Sequence, residues 1–327
     1  MNQSSTNIPY TQESNFAQHI DNNIATLWQS REEGFIKSCD KTKLYWIKLT
    51  SPENRKAVVV VNGRIESVWK YQEIFYELFL RGFDVYAFDH RGQGQSDRLI
   101  SDREMGYVYD FVDYVEDMER VLKTFQLDSY DKRYLLAHSM GATISTRYLQ
   151  THKNHPFHAA AFSAPMYGID LPFWLQPIAI PVTQILAAFS PKTNYAPGYT
   201  AYVAKPFKDN RLSQSEIRYR WFRELYKTKP ELKLGGPSVR WVWQALMASK
   251  QCIQMTRQIR TPLLILQGGD DRIVSNKSQK TFFNKLRKTN DHCELLPIEG
   301  ARHELLVEKD CYRNKVLASI FTFFAKH

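Results

Sequence analysis

Cysteine is too scarce in this chain, and too scattered, to staple or metallate a fold. Cys39, Cys252, Cys293 and Cys311 show no C-x-x-C spacing, which argues against a disulfide framework or a zinc site and for a reducing compartment. A membrane span is also missing. The longest uncharged run, Leu171 to Pro191, nearly reaches the about 20 apolar residues that a spanning helix needs. Pro172, Pro177, Pro181 and Pro191 interrupt it, however, and Gln176 and Gln184 sit inside, so no uniform helix is expected there. The opening MNQSSTNIPYTQESNF has neither a basic nor an apolar segment and reads as no secretory leader. Repeats and low-complexity tracts are lacking. With 43% apolar and 24% charged residues over 327 positions, disorder, collagen and coiled coil are excluded as the main architecture.

What is present is a rhythm of short apolar runs and helical patterns from about residue 55 onward. Ala57–Val61, Phe83–Phe88, Arg133–Ala137, Ala159–Phe162, Pro262–Gln267 and Cys293–Ile298 read as buried strands, with helices such as Tyr71–Arg81 and Tyr109–Gln126 between them. Strands alternating with helices predict an α/β protein with a mostly parallel sheet flanked by helices. Before them, a helix over Ile20–Glu33 and a strand over Lys43–Leu49 are expected to form an antiparallel edge. The chain is expected to close on a helix over Asp310–Ala325.

Between about 165 and 260 the strand rhythm stops, and helical patterns follow at Ser213–Lys227 and Ser238–Met255. The predicted organisation is therefore a core of residues 1–164 and 261–327 with a helical cap insertion over 165–260. That insertion carries 14 Lys+Arg against 5 Asp+Glu, so +9 of the chain's total of +10 belongs to it. Its cations, Arg218 and Arg220 among them, are interleaved with Trp174, Trp221, Trp241 and Trp243. Basic aromatic surfaces of this kind suit anionic lipid at about 1 kcal/mol per basic residue; the plainer alternative is a solvated helix face.

The third buried strand runs into Ala137-His138-Ser139-Met140-Gly141 and then a helical pattern. Strand, tight turn and helix with serine at the apex is the G-x-S-x-G arrangement, whose small neighbours let a strained turn pack closely; Ala137 stands for the first glycine. A serine hydroxyl needs a base oriented by a third group, and in such sheets the partners follow in the order serine, acid, histidine. Asp270 and Asp271 follow the fifth buried strand, and His303 follows the sixth. His90 and His138 read as polar lining. Gly92-Gln93-Gly94 begins like a dinucleotide fingerprint but lacks its third glycine, so it reads as a loop.

These residues carry a resemblance. Asn62-Gly63-Arg64-Ile65-Glu66-Ser67, Phe88 through Ser96, Leu136 through Gly141, Ala164-Pro165-Met166-Tyr167-Gly168, Gly235-Gly236-Pro237 and His303-Glu304 resemble the α/β-hydrolases of the lysophospholipase L2 type, which are related to monoacylglycerol lipases. The resemblance covers about residues 16–327. It implies the α/β-hydrolase fold, a nucleophile at Ser139, a base at His303, and the acid at Asp271 rather than Asp270, because the acid stands at G-x-x-D before R-x-V. It also implies an oxyanion hole built from the N–H groups of Met140 and Arg64, with Asn62 in place of the family's histidine. The implied reaction is hydrolysis of the acyl ester of a lysophospholipid or another monoacyl lipid; monoacylglycerol hydrolysis and general esterase action stay open as alternatives, and a non-catalytic lipid-binding relative is a more distant one. No cofactor, metal or nucleic acid is expected. A cytoplasmic location is expected, peripheral on the inner membrane, with the basic cap against the anionic surface.

Overall fold

The computed structural model of the protein describes residues 8–170, 178–189 and 194–327. Eight strands form one sheet: β1 (Glu32–Lys37), β2 (Lys43–Leu49), β3 (Lys56–Val61), β4 (Phe83–Phe88), β5 (Lys132–His138), β6 (Ala159–Ser163), β7 (Leu263–Gly268) and β8 (Cys293–Ile298). Their order is β1-β2-β4-β3-β5-β6-β7-β8. The first two pairings, β1 with β2 and β2 with β4, are antiparallel, and all the others are parallel.

The six predicted core strands fall where the apolar runs placed them, and their lack of alternation has a direct cause. Ala57, Val59 and Val61 of β3 pack into one apolar cluster, and Val58 and Val60 into the other on the opposite face. A parallel sheet covered on both sides must be apolar at every position. One face is covered by the helices Val112–Phe125, Met140–Thr151, Val239–Gln254 and Asn276–Leu286, the other by Gln72–Leu80 and Asp310–Lys326.

Two expectations need adjusting. The first helix does not reach Glu33. The helical run Phe16–His19, Ile20–Ile24 and Ala25–Gln29 ends there, and Glu32–Lys37 pairs with β2 instead. Gly34 lies opposite Trp46 in that pairing, and a Cβ on it would stand 3.0 Å from the indole. The hairpin therefore depends on a residue with no side chain, a signal that charged, helix-like neighbours obscure. The second adjustment concerns Val239–Gln254. It lies within the stretch read as an insertion, yet its Trp241, Ala245, Ala248 and Cys252 share the core cluster with Leu135, Ile144 and Leu149. Between Ser163 and Leu263, no strand of the sheet occurs among the described residues.

Candidate active site

Three loops leaving the C-terminal ends of parallel strands converge at one point, the usual place for a site in an open α/β sheet. β5 ends at His138, and Ser139 occupies the turn into the helix Met140–Thr151 with φ 51° and ψ −115°. A positive φ is strained for a residue with a side chain. The turn tolerates it because Ser139 N–H donates to Ser163 O at 3.0 Å and Ser139 O accepts from Met166 N at 3.1 Å. Gly141 is required for the helix to enter, since a Cβ there would lie 2.3 Å from Asn62 O.

The loop after β7 brings Asp271, and that after β8 brings His303. His303 Nε2 is 3.0 Å from Ser139 Oγ, and His303 Nδ1 is 2.7 Å from Asp271 Oδ2. Asp271 Oδ1 accepts the N–H groups of Ile273 and Val274 at 2.8 and 3.1 Å. Burial alone would raise the Asp271 carboxyl, but His303 and these amides hold it below the ordinary range. Burial would likewise lower His303, and the facing Asp271 carboxylate more than reverses this, so His303 is raised. Asp270 is exposed beside them and has no contact with the imidazole among the described residues.

The two other histidines near the turn are neutral. Burial pushes both His90 and His138 down to about 4. His138 Nδ1 donates to Ser163 O at 3.1 Å, and His90 Nε2 lies 2.9 Å from Asn62 O. Gly92-Gln93-Gly94 is a loop. Gly94 has φ 57°, and a Cβ on it would strike Asp89 at 2.1 Å. Asp89 in turn accepts from Val68 N, Gln95 N and Asn62 Nδ2, which accounts for Asn62 as a holder of the next turn.

That next turn, Gly63-Arg64, follows β3. A Cβ on Gly63 would be 3.3 Å from Ser139 Cβ, so the turn lies against the serine. Among the described residues, neither the Arg64 N–H nor the Met140 N–H has a protein acceptor. The turn is held by a buried charge triad that the sequence reading did not single out. Glu66 Oε2 accepts Gly63 N–H at 2.5 Å and Tyr71 O–H at 2.7 Å. Lys70 Nζ bridges Glu66 at 2.7 Å and Glu304, next to His303, at 2.6 Å. Burial disfavours the charges of Glu66 and Lys70, but Lys70 lowers Glu66, and the two carboxylates facing Lys70 raise it. Glu66 and Lys70 stand four residues apart, a spacing that reads equally well as an exposed helix pair; only burial distinguishes the two.

Residues of the 165–260 stretch close over these loops. Glu304 N–H donates to Leu212 O, Tyr226 O–H to Ile65 O, and Arg64 Nη2 to Gly235 O. Arg218, expected among the charges offered to a surface, is instead 1% exposed. It binds Glu73 at 2.9 Å and Asp310 at 2.9 Å, because two carboxylates of the core face that side of its helix, Glu216–Thr228. Arg220, two residues on, is exposed and paired with Glu216.

A parallel sheet with an apex serine, a histidine and a carboxylate arriving on successive strand ends defines an α/β-hydrolase. The chain belongs to that family: residues 52–310 match the family model described as serine aminopeptidase, S33. It is 36% identical over 324 residues to lysophospholipase L2 of Escherichia coli (strain K12), covering 97% of this chain and 94% of that protein. It is 38% identical over 285 residues to the probable lysophospholipase L2 of Haemophilus influenzae, covering 86% and 88%. Among solved structures it matches a soluble variant of monoglyceride lipase from Saccharomyces cerevisiae with a TM-score of 0.70 and 21% identity, over 91% and 96% of the two chains. The last likeness concerns the fold alone.

Proposed function

We propose that this protein is a lysophospholipase, a serine hydrolase that cleaves the acyl ester of a single-chain phospholipid through an acyl-enzyme. The reading is carried by the unbroken relay from Ser139 Oγ through His303 to Asp271, at 3.0 and 2.7 Å. The activity named for its two bacterial relatives supplies the substrate class. His303 Nε2 takes the hydroxyl proton as Ser139 Oγ attacks the ester carbonyl, and Asp271 stabilises the imidazolium and fixes its orientation. The free N–H groups of Arg64 and Met140 receive the developing oxyanion. Collapse breaks the bond to the glycerol oxygen, which leaves with the proton from His303. Water then attacks the acyl-enzyme with His303 again as base, releasing the fatty acid and restoring Ser139. No step calls for a metal or cofactor.

The same proposal places the enzyme peripherally on the cytoplasmic face of an anionic membrane. Its support is the helix Ala179–Phe189, which leaves Val182, Ile185, Leu186 and Phe189 in solvent, the last two at 39% and 86% exposure. An apolar helix face beside a basic segment binds anionic bilayers by burial and charge together. Among the described residues, no helix is long and apolar enough to cross a membrane. The greasy run expected over Leu171–Pro191 lies in part, at 171–177 and 190–191, outside the described residues.

The test is labelling by an organophosphonate, followed by a panel of lysophospholipids, monoacylglycerols and short esters. Stoichiometric labelling of Ser139 and preferred turnover of lysophospholipid are expected. Absence of labelling would remove the enzyme, and preference for monoacylglycerol would replace the substrate.

A further inference from the structure

Among the described residues, the four buried arginines, Arg81, Arg91, Arg218 and Arg313, each face at least one carboxylate at 3.4 Å or less. This is how a protein tolerates a buried guanidinium, whose removal from water is otherwise strongly unfavourable. Arg64 is half-buried and, among the described residues, has no such partner although it stands beside the catalytic turn. Its guanidinium lies 4.9 Å from the centre of the Trp241 ring, and Nη2 donates to Gly235 O at 2.6 Å. Its Nε is buried without a partner, and Nη1 has no acceptor among the described residues. No carboxylate pairs with it there either. Burial pushes it down to about 10, and only the phenols of Tyr199 and Tyr114 act in the other direction. It nevertheless stays a cation at neutral pH.

Its position is as informative as its lack of an anion. Gly63, one residue earlier, packs against Ser139. The backbone of Arg64 therefore lies at the turn facing the reacting ester, while its side chain extends along Gly106, where a Cβ would meet Nη2 at 3.0 Å, toward Trp241 and Gly235. In a lysophospholipid, a phosphodiester is separated from the scissile ester by the glycerol carbons alone. A guanidinium fork with unused N–H groups suits phosphate oxygens, and the indole face keeps it oriented.

On the reading of the site as a lysophospholipase, we propose that the Arg64 side chain binds the substrate's phosphodiester and thereby selects phospholipid over neutral monoacyl esters. The backbone and side chain of one residue then serve different parts of one substrate. The amide serves the oxyanion, and the guanidinium supplies the counter-charge for the headgroup phosphate.

The experiment compares kcat/KM for a 1-acyl lysophospholipid and a monoacylglycerol of the same acyl chain in wild type, Arg64→Met and Arg64→Lys. Loss of a charge-assisted contact is expected to lower the lysophospholipid value roughly ten- to a hundredfold more than the monoacylglycerol value. Most of that selective loss should be in KM, and Arg64→Lys should recover part of it by restoring the charge. Equal losses on both substrates would overturn the proposal and leave Arg64 as a tie between the Gly63 turn and Gly235. A third arm adds inorganic phosphate during monoacylglycerol hydrolysis. Inhibition that disappears in Arg64→Met, with no change in substrate selectivity, would also overturn it in favour of a free-anion site. A wild-type enzyme inactive on lysophospholipid but active on monoacylglycerol would instead refute the functional reading itself, independently of the variants.

Discussion

Two helices of the same basic stretch of chain meet the rest of the molecule in opposite ways. Glu216–Thr228 is bolted down: Arg218 reaches Glu73 and Asp310, Phe222 covers Lys70 at 4.4 Å, and Tyr226 bonds to Ile65 O. Ala179–Phe189 buries Ala187 and leaves Ile185 at 59% and Phe189 at 86% exposure. The first uses its charge inward, to lock a wall of the site. The second turns apolar surface outward, which exposed helices of soluble proteins seldom do without a partner. The difference teaches that the +9 of this stretch is not one surface. Part of it is internal structure, and only exposed members such as Arg220 are left for the proposed membrane surface.

Variants can separate wall, surface and chemistry, since each should move a different readout. The largest effect belongs to the chemistry. Ser139→Ala is expected to lose about 10⁴–10⁶ in kcat with an unchanged melting temperature and unchanged vesicle binding. Substantial turnover by a well-folded Ser139→Ala protein would refute the mechanism. Asp271→Asn should lose up to about 10⁴, whereas Asp270→Asn should stay near wild type.

The pH profile sharpens the same assignment. His303 must be neutral to accept the Ser139 proton, so kcat/KM should rise with pH through its raised pKa, with a midpoint above the ordinary imidazole value of 6.5. Removing the Asp271 charge takes away the cause of the raising, so the residual activity of Asp271→Asn should show a midpoint at lower pH. A midpoint that moves up or stays fixed would break the link between the two residues.

The wall comes next. Arg218→Met leaves Asp310 facing an uncharged side chain and Glu73 with only Arg313 as ion-pair partner among the described residues, at 3.4 Å, and should destabilise by about 3 kcal/mol, read as a lowered denaturant midpoint. If the midpoint is unchanged, Glu216–Thr228 is no more anchored than its neighbour. The surface gives the smallest stability effect. Ile185→Asp with Phe189→Asp should stay within about 0.5 kcal/mol of wild type, yet lose co-sedimentation with anionic vesicles. Arg220→Glu with Lys227→Glu should weaken that binding and its salt sensitivity, because exposed charges are screened over about 8 Å at physiological salt. Equal binding to neutral and anionic vesicles, indifferent to salt and to both double variants, would mean that neither face meets a membrane.

The sequence by itself determined the parallel core, because a strand buried on both faces must be a continuous apolar run, and Ala57–Val61 or Pro262–Gln267 has few other places to go. It determined the apex serine as well, since the small residues at 137 and 141 are local requirements of a strained turn. The order serine, acid, histidine was legible because each follows a strand end. Only the tertiary structure decided between adjacent carboxylates on geometry, bringing Asp271 to 2.7 Å from His303 and leaving Asp270 in solvent. Only it turned Arg218 inward, joined Lys70 to Glu66 and Glu304, and left Arg64 without a carboxylate among the described residues. Periodicity reports which face of an element is apolar. It does not report which charges meet across elements far apart in the chain, and a buried cation and an exposed one are written with the same letter.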